Sequence, residues 1–331
     1  MAVRLALADA GLERPETIGL DPERCGVAMG TTSGEPREIE RFDDLYHAEH
    51  LAAVGSELIA RYPCHNIAAN VATEVGFAGC ATTIPTACAA GSYAIAHASD
   101  LLAAGRSDLM LAGGADCFSR ITYTGFARLG AVAPDVCRPF DRNRQGMIPG
   151  EGAAVLVLEP LGRAIERGAT VYAEVAGYGL SCDAHHMTAG HSGGAGAARA
   201  MEQVLLASGI TADDVDYVSA HSTGTPTNDR LEAIAVKRVF GERARRVPIS
   251  SIKSMLGHTM GAASAIEAAV CALACATSQV PPTIHFEAPD PDCDLNVVPN
   301  KAQELAVKTA MNNAYAFGRN NASMIFRQVR A

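Results

Sequence analysis

The chain has 331 residues, of which 48% are hydrophobic and 19% are charged, and its formal net charge is −9. This composition favours a globular protein with an extensive core and excludes a disordered chain. The acidic balance also argues against a nucleic-acid-binding protein, which would present a basic face. The length suffices for two domain-sized units or for one large two-lobed body.

The ten cysteines form no Cys-x-x-Cys pair, and most of them lie within apolar runs. We therefore expect free cysteines in a reducing cytoplasm rather than structural disulfides. The first residues are too polar for a signal peptide. No stretch is expected to reach the roughly 18 apolar residues that span a bilayer. These patterns predict a soluble, cytoplasmic protein with neither a membrane nor a nucleic acid as its partner.

In the first half of the chain, the hydrophobic patterns predict an alternation of helices and strands. The predicted helices cover residues 2–11, 47–61, 66–77 and 91–104, and the predicted strands cover residues 25–29, 82–85 and 109–112. The polar residues 30–44 predict a loop. An α/β chain that opens within a helix, without a preceding strand, is unusual.

The second half repeats this alternation of helices and strands. Its predicted strands cover residues 153–158, 171–178, 216–220, 248–252 and 322–326, and its predicted helices cover residues 196–208 and 261–276. In both halves, a strand leads through a tight turn with a reactive residue into a helix rich in Ala and Gly. Two halves related by a pseudo-twofold axis would bring Cys88 and His258 together. No Pro- or Ser-rich linker separates them, which favours one compact body.

Cys88 is the candidate nucleophile, in the sequence Thr-Ala-Cys-Ala-Ala-Gly where a strand turns into a helix. The free N–H groups and the dipole of a helix start favour a thiolate. The same N–H groups can stabilise an oxyanion. The alternative is a buried structural cysteine, which becomes a poor explanation once the two histidine segments are considered with it.

Two further segments each present an imidazole in a turn of small residues. His221 follows a predicted strand, where α/β proteins place their chemistry, and Thr223 and Thr225 offer hydroxyls to an amide-bearing ligand. His258 lies in a glycine-rich turn, and Lys253 precedes it by five residues and could tune its electrostatics. A surface histidine and a solvated lysine are the structural alternatives.

Two other motifs carry less weight. His185 and His186 lie near Asp183 but lack helical spacing and a third obvious ligand, so we expect no metal there. The glycine-rich run from Gly193 lacks the preceding strand and the later acidic residue of a dinucleotide-binding loop. It favours a flexible entry to a helix.

These segments and several others together resemble the elongating β-ketoacyl-acyl carrier protein synthases of the thiolase-fold superfamily. The resemblance runs from about residue 5 to the end. Besides the three reactive segments, it rests on Arg-Pro-Phe-Asp-Arg-Asn-Arg-Gln-Gly at 138–146, Gly-Glu-Gly at 150–152, Asp-Ala-His-His-Met-Thr at 183–188 and Asn-Asn-Ala-Tyr-Ala-Phe-Gly at 312–318. Family members usually begin with a further glycine-rich strand, so we expect this chain to lack the usual N-terminal segment.

The resemblance implies a layered αβαβα thiolase-like fold of two pseudo-twofold-related halves, residues 1–168 with the nucleophile and residues 169–331 with the histidines. It implies decarboxylative condensation of malonyl groups on acyl carrier protein by a homodimer or heterodimer, in fatty-acid or polyketide synthesis, without a cofactor or metal. The implied acyl acceptor is Cys88.

The resemblance also implies roles for the other site residues. His221 and His258 stabilise the enolate, and Lys253 supports them. Thr223 and Thr225 bind the pantetheine arm, and Glu232 braces the site. Phe317 is the gating residue, and its backbone N–H is an oxyanion donor.

Three other interpretations of the sequence compete with this one. A thiolase would carry a second cysteine in a Cys-x-Gly turn near the C-terminus, and residues 312–330 contain none. An initiating synthase would have Asn in place of one histidine, which His258 argues against. A non-catalytic partner of the chain-length-factor type remains the main alternative, although such partners typically lack the nucleophile that Cys88 supplies.

Overall fold

The structure is a computed structural model that describes residues 1–13, 19–48, 54–318 and 320–329. Contacts between Cα atoms divide the chain into two compact units. The first unit contains Met1–Gly130, Pro149–Arg163 and Thr259–Ala265, and the second contains Ala131–Ile148, Ala164–His258 and Ile266–Ala331. The division into halves at residue 168 stays a prediction.

The first unit is built on a four-stranded sheet. Its strands are β1 (Cys25–Gly30), β2 (Ala81–Ile84), β3 (Leu109–Asp116) and β4 (Gly152–Leu158). They lie in the order β2-β1-β3-β4, with β1 parallel to β2 and β3, and β4 antiparallel to β3. All six residues of β1 are buried, as expected of a central strand in a parallel sheet that helices cover.

Helices pack on this sheet through small and aliphatic side chains. The helices of this unit are α1 (Ala2–Asp9), α2 (Pro36–His47), α3 (Ser56–Arg61), α4 (Asn66–Val75), α5 (Ala90–Ala103) and α6 (Arg120–Arg128). Helices α1, α4 and α5 contact the sheet, whereas α2 contacts α3 and α6. Helix α1 buries Val3 and Leu7, four residues apart on one face, in a core that includes Val27 and Leu111 of the sheet. The spacing of four residues places both side chains on the same side of the helix.

The second unit is built on a five-stranded mixed sheet. Its strands are β5 (Glu174–Cys182), β6 (Tyr217–Ser219), β7 (Ile249–Ser250), β10 (Thr309–Tyr315) and β11 (Asn320–Arg327), in the order β5-β11-β10-β6-β7. Strand β10 is parallel to β6 and antiparallel to β11. A separate two-stranded ribbon pairs β8 (Gln279–Val280) with β9 (Gln303–Glu304).

The remaining helices are α7 (Leu161–Glu166), α8 (Ala195–Ala207), α9 (Pro226–Phe240), α10 (Lys253–Leu256) and α11 (Ala263–Thr277). Helix α8 packs on β5 and β11, and α9 packs on α8. The core of the second unit is rich in Ala and Val, including Ala198, Val204, Ala233, Val236 and Val218. Small side chains at these positions allow the helices to approach the sheet closely.

The prediction of a loop over residues 30–44 was wrong, because Pro36–His47 forms a helix. Pro36 lies in the first turn, where its fixed φ suits a helix and its missing N–H costs nothing. Phe42 and Tyr46, four residues apart, contact each other on the exposed face. Six of the 12 residues of this helix are charged, a composition that resembles a loop, but Arg37, Arg41, Asp43 and Asp44 belong to an exposed helix surface.

Several further boundaries differ from the predictions, and the strand predicted over 171–178 covers Glu174–Cys182. The predicted helix over 47–61 is present only as Ser56–Arg61 among the residues that the structure describes, since 49–53 lie outside them. Strand β3 does not end at Ala112 but continues through two glycines to Asp116. A Cβ on Gly113 would lie 1.9 Å from the Ala154 carbonyl oxygen on the neighbouring strand. These glycines therefore permit a close approach of two strands rather than ending one.

The expectation that no apolar stretch reaches membrane-spanning length was also wrong. The segment Met260–Thr277 is long and apolar enough by length and composition. About two thirds of it is buried inside the protein, which is the ordinary environment of a core helix. Length and hydropathy alone do not distinguish such a helix from a membrane span.

Candidate active site

Cys88 lies in a 3-10 turn between β2 and α5, in the first unit. The turn covers Ala87–Ala89, and the Cys88 residue is 5% exposed. Ala87 has a φ of 49°, in the left-handed region that residues with a Cβ adopt only at a cost. Strain of this kind is concentrated at functional sites. Here it turns the chain sharply enough to place the thiol directly before the helix.

Small residues fix the start of α5. A Cβ on Gly91 would lie 2.6 Å from the backbone nitrogen of Ala265, and one on Gly30 would lie 2.2 Å from the carbonyl carbon of Ala90. The backbone N–H of Ser92 donates to Oγ of Ser264 at 3.0 Å. The backbone around the thiol is therefore held by contacts that only glycine, alanine and serine allow.

His221 lies in the second unit, two residues after the end of β6. Its backbone N–H donates to Oε1 of Glu232 at 2.9 Å, and the N–H of Ser222 donates to Oε2 at 2.7 Å. Glu232 is on α9, 11 residues further along the chain, and is 1% exposed. One carboxyl group thus fixes the backbone that carries the imidazole, and the bracing of the site by Glu232 stays a prediction.

Burial raises the pKa of the Glu232 carboxyl to about 8, although the N–H of His221 and the charge of Lys253 act against this. Nearby Asp229 also raises it. A buried carboxyl group with a raised pKa stays protonated to a higher pH than an exposed glutamate does. Its ionisation is therefore coupled to the folding of the His221 loop.

The two threonines follow His221 in the same loop. Their hydroxyl oxygens lie 3.0 Å apart, and either can be the donor. The backbone N–H of Thr223 donates to Oδ1 of Asp229 at 3.1 Å, and Thr225 precedes the first residue of α9. The hydroxyls of Thr223 and Thr225 are thus paired with each other on a backbone that α9 anchors.

His258 lies in the second unit, as His221 does, and the two imidazole rings contact each other. Their ring centroids are 5.6 Å apart at an interplanar angle of 81°, and His221 makes a similar contact with Tyr315 at 5.7 Å. The backbone N–H of His258 donates to the Ile148 carbonyl at 2.7 Å. Both histidines are at least 97% buried. Two imidazoles in a dry environment can both donate to one developing negative charge.

Lys253 is buried rather than solvated, and its ammonium group donates to the Glu267 carboxylate on α11. Burial lowers the pKa of His258 well below its ordinary value, and the Lys253 charge lowers it further. Burial also raises the pKa of Glu267, against the effect of Lys253. His258 is therefore a neutral imidazole at physiological pH, and it can donate a hydrogen bond without carrying a charge.

Phe317 follows β10 in the second unit and is 38% exposed. The backbone N–H of the next residue, Gly318, donates to the Met187 carbonyl at 2.7 Å. This bond ties the turn after β10 to the segment containing His185 and His186. The gating and oxyanion roles of Phe317 stay predictions.

The Asp183 segment is organised by its own hydrogen bonds. Asp183 accepts from the N–H of His191 and from Nδ2 of Asn321, both at 2.9 Å. Nδ1 of His186 accepts from the N–H groups of Thr188 and Ala189. These groups thus close turns of the backbone.

Three buried charged residues contact these loops without having been predicted: Asp229, Glu267 and Arg144. A sequence signal exists for Glu267, the single charged residue in the otherwise apolar helix α11. Asp229 lies three residues before Glu232, on the same helix face, and burial raises its pKa. Arg144 belongs to the 138–146 motif, whose resemblance to the family implies no individual role for this residue.

Comparisons with known proteins now decide the family. The N-terminal domain of the β-ketoacyl synthases matches residues 1–164, and their C-terminal domain matches residues 172–287. The chain belongs to the β-ketoacyl synthase family. The predicted family is thereby confirmed.

Three curated relatives illustrate the range of the family. Nodulation protein E of Rhizobium meliloti is 46% identical over 79% of this chain, which spans 65% of that protein. The tetracenomycin polyketide synthase ketoacyl synthase alpha subunit of Streptomyces glaucescens is 40% identical, covering 96% of this chain and 77% of the relative. The 3-oxoacyl-[acyl-carrier-protein] synthase 2 of Staphylococcus aureus is 37% identical, covering 100% and 81%.

Two solved structures are similar to this β-ketoacyl synthase over nearly its whole length. The ishigamide ketosynthase/chain length factor superposes with a TM-score of 0.94 at 42% identity, covering 99% of this chain and 80% of that one. A type II polyketide synthase ketosynthase, solved in complex with its acyl carrier protein, superposes with a TM-score of 0.93 at 33% identity, covering 99% and 83%. The predicted α/β, thiolase-like fold is confirmed. The roles of the individual site residues stay predictions.

Proposed function

We propose that this chain catalyses the decarboxylative condensation of a malonyl group with an acyl group, both carried as thioesters on acyl carrier protein. The observation that carries the proposal is the pair of buried imidazoles, His221 and His258, with His258 held neutral by burial and Lys253. Such a pair suits a reaction in which negative charge develops on a thioester oxygen. The printed names of the relatives, in fatty-acid and polyketide synthesis, support the same reaction.

In the first half-reaction, the thiolate of Cys88 attacks the acyl thioester carbon. A bond forms between that carbon and Sγ as the bond to the carrier sulfur breaks, and the carrier leaves as a thiol after taking up one proton. The backbone N–H groups of Cys88 and Phe317 serve as donors to the transient oxyanion. Removal of one such donor typically costs about 2.7–4 kcal/mol in the barrier.

In the second half-reaction, the malonyl group loses carbon dioxide, and the electron pair of the broken C–C bond remains as an enolate. His221 and His258 donate N–H groups to the enolate oxygen, and Lys253 tunes this pair through its charge. The enolate carbon then attacks the Cys88-bound acyl carbon. The new C–C bond forms, the C–S bond breaks, and the Cys88 thiolate is regenerated.

Thr223 and Thr225 bind the amides of the pantetheine arm, and Glu232 braces the loop that carries them. The reaction needs no cofactor and no metal, since the substrates bring their own phosphopantetheine. We place the enzyme in the cytoplasm, in accordance with its biosynthetic relatives, and fractionation of the producing cell tests this placement.

The second subunit of the assembly is either a copy of this chain or a related partner. Among the residues that the structure describes, strand β2 forms one edge of the four-stranded sheet and pairs with β1 alone. An unpaired strand edge is a ready surface for another chain. The similarity to a ketosynthase/chain length factor pair supports a heterodimer. The same similarity keeps a chain-length-factor-like role as the second candidate function, and the presence of Cys88 argues against that role.

Two variants of the nucleophile test the proposal. Cys88→Ala should abolish condensation, because no thioester forms on the enzyme. Cys88→Gln should retain or raise malonyl decarboxylation while condensation is lost, because its amide resembles the acylated cysteine. Cys80→Ala, at an exposed cysteine, is the matched control and should retain both activities. Loss of both activities in folded Cys88→Gln, or condensation by Cys88→Ala, would contradict the proposal.

A further inference from the structure

The 138–146 motif packs against the loop that carries His221, Thr223 and Thr225. The backbone N–H of Gly146 donates to the Gly224 carbonyl at 2.9 Å. A Cβ on Gly224 would lie 2.7 Å from the carbonyl oxygen of Gly146. Just before the motif, Sγ of Cys137 donates to the Thr223 carbonyl at 3.2 Å. The two segments, 78 residues apart between Gly146 and Gly224, therefore interlock through their backbones.

Arg144 is the buried cation of this motif, with 5% of its side chain exposed. Nη1 donates to the Asp141 carbonyl at 2.8 Å and to the carboxylate of Asp290. Nη2 donates to the Pro226 carbonyl at 3.3 Å. Pro226 directly follows Thr225 and begins helix α9. The guanidinium group thus holds the end of the threonine loop by a direct hydrogen bond.

Arg144 also faces the carboxylate that fixes the middle of the loop. Its Nε lies 3.9 Å from Oδ2 of Asp229. Asp229 in turn accepts from the N–H groups of Thr223 and Phe140, at 3.1 and 2.9 Å. A buried carboxylate of this kind is costly without a nearby positive charge. Arg144 therefore acts on the threonine loop through Asp229 as well as through Pro226.

The backbone is strained at the contact in the 138–146 segment, whereas the glycine of the other segment adopts its positive φ without strain. Phe140 is fully buried and has a φ of 64°, and Gly224 has a φ of 76°. A bulky residue in the left-handed region persists only where its surroundings over-determine it. The hydrogen bond from Phe140 N–H to Asp229 supplies part of that constraint. Loss of the nearby charge would therefore release the conformation of the loop.

From these contacts we infer that Arg144 is a positioning residue that sets the Thr223 and Thr225 hydroxyls for binding of the pantetheine arm. This inference rests on the proposed function. The guanidinium fork can bond Asp141, Asp290 and Pro226 at once, whereas a lysine ammonium cannot reproduce that geometry. Arg144 thus favours substrates that carry the full arm over shorter thioesters.

The test compares two substrates in the Arg144→Met and Arg144→Lys variants. The first substrate is malonyl-pantetheine, and the second is malonyl-N-acetylcysteamine, which lacks most of the arm. The measured quantity is kcat/KM for malonyl-pantetheine divided by kcat/KM for malonyl-N-acetylcysteamine. We expect this ratio to fall about tenfold in Arg144→Met, which is the equivalent of one net hydrogen bond. The loss should lie mainly in KM for malonyl-pantetheine. Arg144→Lys should show a smaller decrease in this ratio. If Arg144→Met does not fold, the inference is tested with Arg144→Lys.

Arg243→Met is the matched control. Arg243 lies in the same unit and likewise donates to two backbone carbonyls, those of Ala212 and Val215. Its replacement should lower stability without changing the substrate ratio. An unchanged ratio in a folded Arg144 variant would overturn the inference.

A binding measurement separates this inference from the proposed function. The probe is a malonyl-pantetheine analogue in which an amide replaces the thioester. Wild-type protein that binds the analogue but neither decarboxylates nor condenses malonyl thioesters would contradict the proposed function alone. Equal affinity of wild-type protein and both Arg144 variants for the analogue would overturn the inference alone. Weaker binding by the variants would support it.

Discussion

The surroundings of Cys88 and those of the two histidines are built in different ways. The turn at Cys88 is held by steric closeness, with Gly30, Gly91 and Ser264 leaving no room for larger side chains. The histidine loops are held by buried ionisable groups, Glu232 and the Lys253–Glu267 pair among them. The first set of contacts involves no ionisable side chain, whereas the second couples folding to protonation. Substitutions should therefore fail for different reasons in the two regions.

The largest effect on stability is expected for Lys253→Met. This change leaves Glu267 buried without its cation, and breaking a buried ion pair costs about 3–5 kcal/mol. The double variant Lys253→Met/Glu267→Gln should recover most of the loss, because no uncompensated charge remains. Urea unfolding of the wild type and both variants measures this. Equal stability of the single and double variants would show that the pair does not act as a unit.

A smaller loss is expected on the steric side of the comparison. In Gly91→Ala the new Cβ would lie 2.6 Å from the Ala265 backbone nitrogen, and overpacking of this kind costs about 1–3 kcal/mol. Gly125→Ala is the control, also within a helix, where no atom of the described part of the chain lies within 4 Å of the new Cβ. It should stabilise the protein by about 0.5–1 kcal/mol. Thermal unfolding of both variants shows whether each substitution raises or lowers the stability. A destabilising Gly125→Ala would contradict this explanation.

Glu232→Gln should show a loss that depends on pH. Gln cannot accept from both the His221 and Ser222 N–H groups, and one orphaned donor costs about 1–3 kcal/mol. Because the pKa of Glu232 is raised to about 8, its contribution to stability is complete below its unfolded pKa near 4.5 and is lost as the pH rises through about 8.

The stability gap between wild type and Glu232→Gln should therefore narrow as the pH rises from about 4.5 to about 8. Chemical denaturation at several pH values measures the gap. A gap that stays constant or widens would show that the carboxyl group is charged throughout this range.

The smallest effect concerns the protonation of His258. Burial and the Lys253 charge lower its pKa, so its imidazole should remain neutral at pH 6 by ¹⁵N chemical shifts. The double variant Lys253→Met/Glu267→Gln should raise this pKa by removing the like charge, while burial still holds it below the ordinary value. An imidazolium signal from wild-type His258 at pH 6 would contradict the account.

The sequence made the Cys88 side of the molecule more predictable than the histidine side. The strand, the turn and helix α5 follow from a local run of residues, and their observed boundaries differ from the prediction by one residue at most. Helix α2 was missed because its charged face resembles a loop. Helix α9 and strand β10 were not predicted either.

The buried charged network was harder to predict because its members come together only in the folded chain. Glu232 was found through the resemblance, whereas Asp229, Glu267 and Arg144 were not. Arg144 and Asp290 are 146 residues apart, and no local spacing relates them. A charged residue in an apolar helix, such as Glu267, is the one signal that the sequence offers for such a contact.

The central claim is that Cys88 accepts the acyl group, and intact mass spectrometry tests it most directly. The purified chain is incubated with an acyl thioester of acyl carrier protein, and peptide mapping locates any adduct. The account predicts one acyl group per chain, attached to Cys88 and absent from Cys88→Ala. A folded protein that acquires no adduct, or acquires it at another cysteine, would contradict the account.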